Sequence, residues 1–330
     1  MQEKRIYANR ALAILKAYLS ETPAHISWLL PSTICFSVPC LFLSLGKKIA
    51  FYDFGYDLMA TTGPFADKGE YKGILITDYY AKEIDAQQLA YIRSHFEMVI
   101  YDKCLSVPLI PYPGSLNYDL VLFSTGKGKI ADIGFGGIGM GVTAELMSIQ
   151  DQGTSSAAER QSAYDTIEAG WKASIEKGIQ LDINLPGDSS NWISSSALSE
   201  TDSYEKLLHE ELEIARKEKE TINQVYSSVI PSPLFFYPEA NMWRFNILVN
   251  EARLLIGHIF EHGFFASRHY ANAARVLGYS QNCHQSEWIE NHIVNLFNYK
   301  YLSVDEAEQC AYLVKKLFHK KNISPVKPFT

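Results

Sequence analysis

The chain has 330 residues, of which 47% are hydrophobic and 20% charged, so it is long enough to bury a substantial core and to form two domains. Its formal net charge of −7 and the lack of any lysine- or arginine-dense run argue against nucleic-acid binding. The five cysteines form no Cys-x-x-Cys pair, a usage typical of a reducing cytoplasm and not of a disulfide framework. We therefore expect a cytoplasmic globular protein with neither a nucleic-acid nor a membrane partner.

The N-terminal residues 1–16 are charged and helical in pattern, unlike a signal peptide, and residues 8–19 carry helical periodicity. The most apolar stretch, residues 26–45, contains Pro31, Pro39 and several serines and threonines. That composition predicts a buried strand, a turn and a helix, and not a membrane span.

Short apolar runs with strand character recur at residues 26–30, 49–52, 74–77, 98–101 and 120–123, with a helical segment at residues 86–95. This alternation predicts an α/β protein with a mostly parallel sheet covered on both faces. A charged helix at residues 204–226 leads to a second unit, with a strand at residues 243–249, a helix at residues 251–262 and Gly263 at its C-cap. We expect a large domain over residues 1–205, and a linking helix with a smaller α/β domain over residues 206–330.

The segment at residues 98–141 carries the richest chemistry. One apolar strand ends in Asp102, a second ends in Ser124, and a glycine-rich loop then leads to Lys129. Because ligands of open α/β sheets bind beyond the carboxyl ends of the strands, Asp102 and Lys129 are placed to reach one site. Pyridoxal 5'-phosphate (PLP) needs such a pair: a lysine amine that condenses with its aldehyde and a buried carboxylate that keeps its ring nitrogen protonated. A hydroxyl such as Ser124 and helix-start amides would hold its phosphate.

The spacing of these residues resembles the DegT-type family of PLP-dependent sugar aminotransferases, which belong to the fold-type I group. In that family a strand ending in Phe-Ser is followed by a lysine five residues after the serine, and then by a Gly-x-Gly-Gly turn. Here Phe123-Ser124 precedes Lys129 by that spacing, and Gly134-Phe135-Gly136-Gly137 follows. The resemblance implies that Lys129, not Lys127, is the Schiff-base lysine, that Asp102 pairs with the pyridinium, and that Ser124 binds phosphate.

The resemblance extends over nearly the whole chain. The segment WLLPSTICF is similar to a family strand and turn, which implies that Phe36 or Cys35 packs on the cofactor ring. The start of the first helix is similar to the family's phosphate-binding helix start, which implies that Asn9 and Arg10 lie near the phosphate. Downstream, His269-Tyr270 corresponds to a family His-Tyr pair that could line the substrate site.

The sequence departs from the family pattern at three places. Leu105 stands where the family usually has Gln or His, a side chain that contacts the ring or the substrate in the family. Ala8-Asn9 replaces the family's phosphate-loop Gly-Thr. Family members also carry further residues before this helix, so we expect an atypical N-terminal region.

The resemblance implies a homodimer that transfers an amino group from an amino acid such as glutamate to a keto-sugar attached to a nucleotide, and we expect it in the cytoplasm. Two alternatives stay open: a PLP enzyme of another reaction type, such as a dehydratase, and a non-catalytic relative that acts as a binding module. The Gly134-x-Gly136-x-x-Gly139 pattern is a weaker dinucleotide-binding signal, since it continues a loop and does not open a helix after a first strand. His258-x-x-Glu261-His262 matches an inverted zinc-peptidase signature, but Gly263 follows at once and we expect an ordinary helix end without metal.

Overall fold

The computed structural model describes residues 4–55, 70–109, 117–141, 198, 201–238 and 242–327. Within these residues, no helix is both long and apolar enough to cross a membrane. The apolar stretch that begins at Ile26 forms a buried strand, a turn and a short helix, as the sequence predicts.

A seven-stranded sheet forms the first part of the chain. Its strands, in chain order, are β1 (Lys4–Ala8), β2 (Trp28–Pro31), β3 (Ile49–Tyr52), β4 (Gly73–Thr77), β5 (Met98–Asp102), β6 (Leu120–Ser124) and β7 (Gly137–Gly141). They lie in the order β1-β7-β6-β5-β4-β2-β3. The five neighbouring strands β3, β2, β4, β5 and β6 are parallel to one another, and β7 is antiparallel to both β6 and β1. The predicted α/β fold with a mostly parallel sheet is confirmed.

Alternating side chains bury both faces of this sheet. In β5, Ile100 packs into one core cluster, while Val99 and Tyr101 pack into the cluster on the opposite face. The helices α1 (Ala11–Glu21) and α2 (Ser37–Ser44) contribute to the first cluster, and α3 (Ala86–His95) contributes to the second. Continuous apolar runs in the parallel strands are the expected result of burial on two faces.

Two elements of the sheet were not predicted. The helical pattern assigned to residues 1–16 is wrong at its start, because residues 4–8 form the edge strand β1 and the helix begins at Ala11. The sequence of β7 predicts a continuation of the glycine-rich loop, whereas the structure has a strand there. Three of its five residues are glycine, so it carries almost none of the side-chain pattern that identifies strands.

A three-stranded antiparallel sheet forms the C-terminal part. It contains β8 (Phe245–Leu248), β9 (Ala266–Ser267) and β10 (Ile293–Leu296) in the order β8-β10-β9. The helices of this part are α4 (Thr201–Val229), α5 (Ala252–Glu261), α6 (Ala273–Val276), α7 (His284–His292) and α8 (Val304–His319). The C-cap residue of α5 is His262, and Gly263 follows it with a φ of +84°, so the predicted glycine at the helix end lies one residue beyond the C-cap. The predicted boundary at residue 205 falls in the first turn of α4, and the division into two domains stays a prediction.

Candidate active site

A cavity lies at the carboxyl ends of the parallel strands, where the topology of an open α/β sheet places a ligand site. Its wall is formed by the turn after β2, the residues that follow β4 and β5, the loop after β6, and one residue from the C-terminal part. The residues on the wall are Thr33, Ile34, Cys35, Thr77, Asp78, Tyr79, Tyr80, Asp102, Cys104, Leu105, Lys129 and Tyr270.

Three of the predicted site residues, Asp102, Lys129 and Tyr270, share this wall. Asp102 is the last residue of β5 and is buried, and its Oδ1 accepts a hydrogen bond from the backbone N–H of Cys104 at 2.9 Å. Lys129 lies in a turn in which its own N–H donates to the carbonyl oxygen of Gly126 at 3.2 Å. A carboxylate fixed by a backbone N–H and a lysine amine therefore face one cavity from neighbouring strand ends.

The three residues predicted to bind phosphate are brought together beside the cavity, and none of them is on its wall. The strand register aligns Ala8 with Gly137 and Gly137 with Ser124, so Asn9 and Ser124 lie on either side of β7. The carbonyl oxygen of Asn9 accepts from the N–H of Gly136 at 2.7 Å. Arg10 is the N-cap residue of α1, and its backbone bridges to Gly136. The fold therefore brings these three residues into one neighbourhood, and their role toward phosphate stays a prediction.

Close packing explains the two central glycines of the Gly-x-Gly-Gly turn. A Cβ on Gly136 would lie 2.4 Å from Oγ1 of Thr125, and this glycine has a φ of +106°. A Cβ on Gly137 would lie 2.1 Å from the backbone nitrogen of Ala11, at the start of α1. Only glycine allows α1 to approach the sheet this closely, so the turn fixes the helix start next to Ser124.

Of the two residues predicted to pack on the cofactor ring, Cys35 lies on the cavity wall, and its contact with a ring stays a prediction. Phe36 is the N-cap residue of α2 and packs against the core cluster of the first sheet face. Of the His-Tyr pair, Tyr270 is on the wall and His269 lies behind it, with its Nδ1 2.8 Å from Oγ of Ser267.

Burial, and then the positive charges of Arg244 and Lys129, lower the pKa of His269 to about 3. This imidazole is therefore neutral at neutral pH and cannot act there as a general acid.

Sequence reasoning missed a buried ion pair next to Asp102. The ammonium of Lys103 lies 2.7 Å from Oδ2 of Asp78 and 2.8 Å from Oε1 of Glu83, and its side chain is fully buried. Asp78 lies on the cavity wall, and burial raises its pKa while the charge of Lys103 opposes that shift. The position of Asp78 directly after an apolar strand is the signal that identified Asp102, and it could have identified Asp78 as well.

Three buried hydroxyl groups on the wall indicate a polar ligand. Within the described part of the chain, Oγ1 of Thr33 and the hydroxyls of Tyr79 and Tyr80 have no hydrogen-bond partner. An unsatisfied buried polar group costs about 1–3 kcal/mol, so its presence beside Lys129 and Asp102 is explained by a ligand with polar atoms. The residues present therefore fit a cofactor such as PLP, which combines a lysine-reactive aldehyde with polar ring substituents.

The rival metal motif lies elsewhere. His258, Glu261 and His262 have ligand atoms within 4.8 Å of one another at the C-terminal end of α5. None of the three lies on the cavity wall, and Glu261 has a side-chain exposure of 76%. We assign these residues no part in the chemistry of the cavity.

Comparisons with known proteins agree with this architecture. No protein-family model matches the sequence, and no curated protein matches it. Among solved structures, the fold is similar to that of DesI, determined with its TDP-sugar product, at a TM-score of 0.69 and 14% identity, with 96% of this chain and 83% of that chain covered. A DegT DnrJ EryC1 StrS aminotransferase from Brucella abortus has a TM-score of 0.62 at 14% identity, with 95% of this chain and 85% of that chain covered.

A third similar structure is the PLP form of a Streptococcus pneumoniae protein proposed to be a sugar aminotransferase. It has a TM-score of 0.65 at 15% identity, with 96% of this chain and 87% of that chain covered. At this level of identity the similarity establishes the fold, and the predicted fold-type I architecture is confirmed. It does not by itself assign an activity to this chain.

Proposed function

We propose that the protein is a PLP-dependent aminotransferase. The observation that carries the proposal is the meeting of Lys129 and Asp102 on the wall of one cavity at the carboxyl ends of neighbouring strands. The solved structures that share the fold are described as aminotransferases, which supports the same activity. Both residues were selected by their register in the sequence, and the fold brings them together from separate strands.

Each residue has a defined task in this proposal. The cofactor, when bound, supplies an electron sink for a substrate carbon. Lys129 holds the cofactor through Nζ and, when that nitrogen is free, carries a proton on it as a general acid–base. The carboxylate of Asp102 orients the ring and keeps a proton on the ring nitrogen. The N–H of Cys104 fixes the orientation of this carboxylate. Ser124, Asn9 and Arg10 bind the phosphate next to the start of α1, where a helix N-terminus favours an anion.

The proposed substrates are an amino acid such as glutamate as donor and a keto-sugar linked to a nucleotide as acceptor. The similarity to DesI, which was determined with a TDP-sugar product, supports a sugar acceptor. A homodimer in the cytoplasm, acting in surface-polysaccharide or secondary-metabolite synthesis, completes the proposal.

Covalent trapping tests the cofactor assignment. We expect the purified protein to bind PLP with an absorbance band at about 410–430 nm, and borohydride reduction to fix the cofactor on the peptide that contains Lys129. The Lys129→Ala variant should lose both signals. The Lys127→Ala variant is the matched control, because it removes a lysine two residues away, and it should keep both. Trapping on Lys127, or no trapping at saturating PLP, contradicts the assignment.

Addition of glutamate tests the reaction type. If glutamate is the donor, it should convert the bound cofactor to its amine form, with loss of the band and release of 2-oxoglutarate. A holoenzyme whose spectrum is unchanged by glutamate and by other amino acids contradicts transamination and leaves PLP chemistry of another kind.

A further inference from the structure

Tyr80 shares three features with Thr33 and Tyr79 on the cavity wall, and of these three residues it is the one with a positive φ. It lies on the cavity wall with Lys129, only 2% of its surface is exposed, and its hydroxyl has no hydrogen-bond partner among the residues that the structure describes. Burial raises the pKa of this hydroxyl above its ordinary value, so it stays protonated and can donate a hydrogen bond.

The backbone holds Tyr80 in a conformation that disfavours its residue type. Tyr80 and Ala81 have φ values of +54° and +67°, and the N–H of Lys82 donates to the carbonyl oxygen of Tyr79 at 2.9 Å. A turn with two central residues of positive φ normally contains glycine, asparagine or aspartate. Strained residues of this kind persist where a function or the surrounding structure requires them.

Packing fixes the ring of Tyr80 in place. Its ring makes an edge contact with Phe236, with centroids 5.7 Å apart and planes at 78°. Leu105 lies in the same core cluster and on the same cavity wall, at the position where the resembling family has a polar side chain. The wall therefore has an apolar side chain at that position after β5 and a polar hydroxyl from the turn after β4.

We propose that Tyr80 is a cofactor-binding residue whose hydroxyl donates a hydrogen bond to an oxygen atom of PLP, and so supplies a polar contact that Leu105 cannot make. This inference rests on the proposed function. The inference adds to the proposed function a cofactor-binding residue that no motif in the sequence identified.

The test compares two substitutions that remove the same kind of group. Tyr80→Phe removes the buried hydroxyl on the cavity wall, and Tyr18→Phe removes a buried hydroxyl on α1 that also lacks a partner among the described residues. Neither change should lower the melting temperature, since loss of an unsatisfied buried hydroxyl is neutral or stabilising. We expect Tyr80→Phe to weaken PLP binding about tenfold, as for loss of one hydrogen bond to a charged or polar acceptor, and Tyr18→Phe to leave it unchanged.

PLP affinity is measured by absorbance titration of the apoprotein, followed by reduction and mass spectrometry of the Lys129 peptide. Equal affinity in the wild type and in Tyr80→Phe, with normal trapping on Lys129, overturns the role of Tyr80 and leaves the proposed function intact. Failure of the wild-type protein to bind PLP overturns the proposed function and this inference with it. A tenfold loss that also occurs in Tyr18→Phe shows a general effect and overturns the inference as well.

Discussion

Buried lysines of this protein differ in the partners that they have. Lys103 lies within 2.8 Å of two carboxylates, whereas within the described part of the chain Nζ of Lys219 donates to two neutral oxygens, the carbonyl and the side-chain amide oxygen of Asn298, each at 3.1 Å. Burial, and then the positive charge of Arg244, lower the pKa of Lys219 to about 7. The pKa falls because burial desolvates the charged amine, and the oxygens of Asn298 carry no negative charge that would compensate.

This shift makes a contribution to stability that depends on pH. A lysine in the unfolded chain titrates near pH 10.4, so between about pH 7 and pH 10 the unfolded state binds more protons at this site than the folded state. Stability from this group therefore rises with pH in that window. We expect the wild type to gain stability relative to Lys219→Met by up to about 1.4 kcal/mol per pH unit above pH 7.

Urea unfolding at several pH values from about 7 to 9 measures the difference between the two proteins. Lys206→Met is the matched control, because Lys206 lies on the same helix with a side-chain exposure of 80% and its loss removes the same formal charge. A difference between wild type and Lys219→Met that stays constant with pH would show that Lys219 is charged to the same extent in both states.

A residue of the candidate site could be predicted from the sequence where both its side-chain type and its position at the end of a strand indicated a function. Asp102 and Lys129 were found because an acidic residue at a strand end and a lysine after the next strand form a recognisable pair. Tyr80 was not found, since its significance depends on a missing hydrogen-bond partner and on a positive φ, and neither is visible in the sequence. The family resemblance left Phe36 and Cys35 as alternatives, and the backbone turn decides that Cys35 reaches the cavity wall.

At the scale of elements, the predicted strands were those with a continuous apolar run. β2 to β6 are buried on both faces and rich in branched or aromatic residues, so their sequences identify them. β1 is charged at its start and β7 is mostly glycine, so each is defined by its pairing and not by its own propensity. Pairing with neighbouring strands, and not local sequence, therefore determines that β1 and β7 are strands.

The glycines of β7 provide a quantitative test of this packing. Gly137→Ala places a Cβ 2.1 Å from the backbone of α1, which can be relieved only by moving the helix. We expect a loss of about 1–3 kcal/mol in the free energy of unfolding, in the range of overpacked sites. Gly257→Ala is the matched control, because Gly257 lies inside α5 with nothing within 4 Å of its Cβ position.

The control should change stability in the opposite direction. Alanine in a helix interior is favoured over glycine by about 0.5–1 kcal/mol, so Gly257→Ala should stabilise the protein. Chemical denaturation of both variants gives the comparison. If Gly137→Ala were as stable as the wild type, α1 would not be packed on β7 as closely as the structure has it.

At the scale of the whole molecule, the loop that carries Lys129 is held from the C-terminal part of the chain. Nε1 of Trp243 donates to the carbonyl oxygen of Gly128 at 3.1 Å. Nζ of Lys300 donates to the carbonyl oxygen of Asp132 at 2.7 Å and pairs with Glu211 of α4 at 2.8 Å. The position of Lys129 therefore depends on residues that lie more than a hundred positions away in the sequence, which no local pattern could have predicted.

Trp243 also connects this loop to the cavity wall. Its ring stacks on that of Tyr270, with centroids 6.4 Å apart and planes at 12°, and Tyr270 is the wall residue contributed by the C-terminal part. One side chain thus contacts both the Lys129 loop and a residue of the cavity wall that the C-terminal part contributes. Loss of its N–H should loosen the loop while the aromatic packing is largely kept.

Hydrogen–deuterium exchange of Trp243→Phe tests this dependence without reference to any cofactor. We expect amides in residues 126–132 to exchange about fivefold faster, in keeping with the loss of a hydrogen bond worth about 1 kcal/mol, while the strands of the first sheet keep their protection. Trp288→Phe is the matched control, since Trp288 belongs to the same core cluster but packs on His292 of its own helix. Unchanged exchange of residues 126–132 in Trp243→Phe would mean that the first sheet alone holds Lys129 in place.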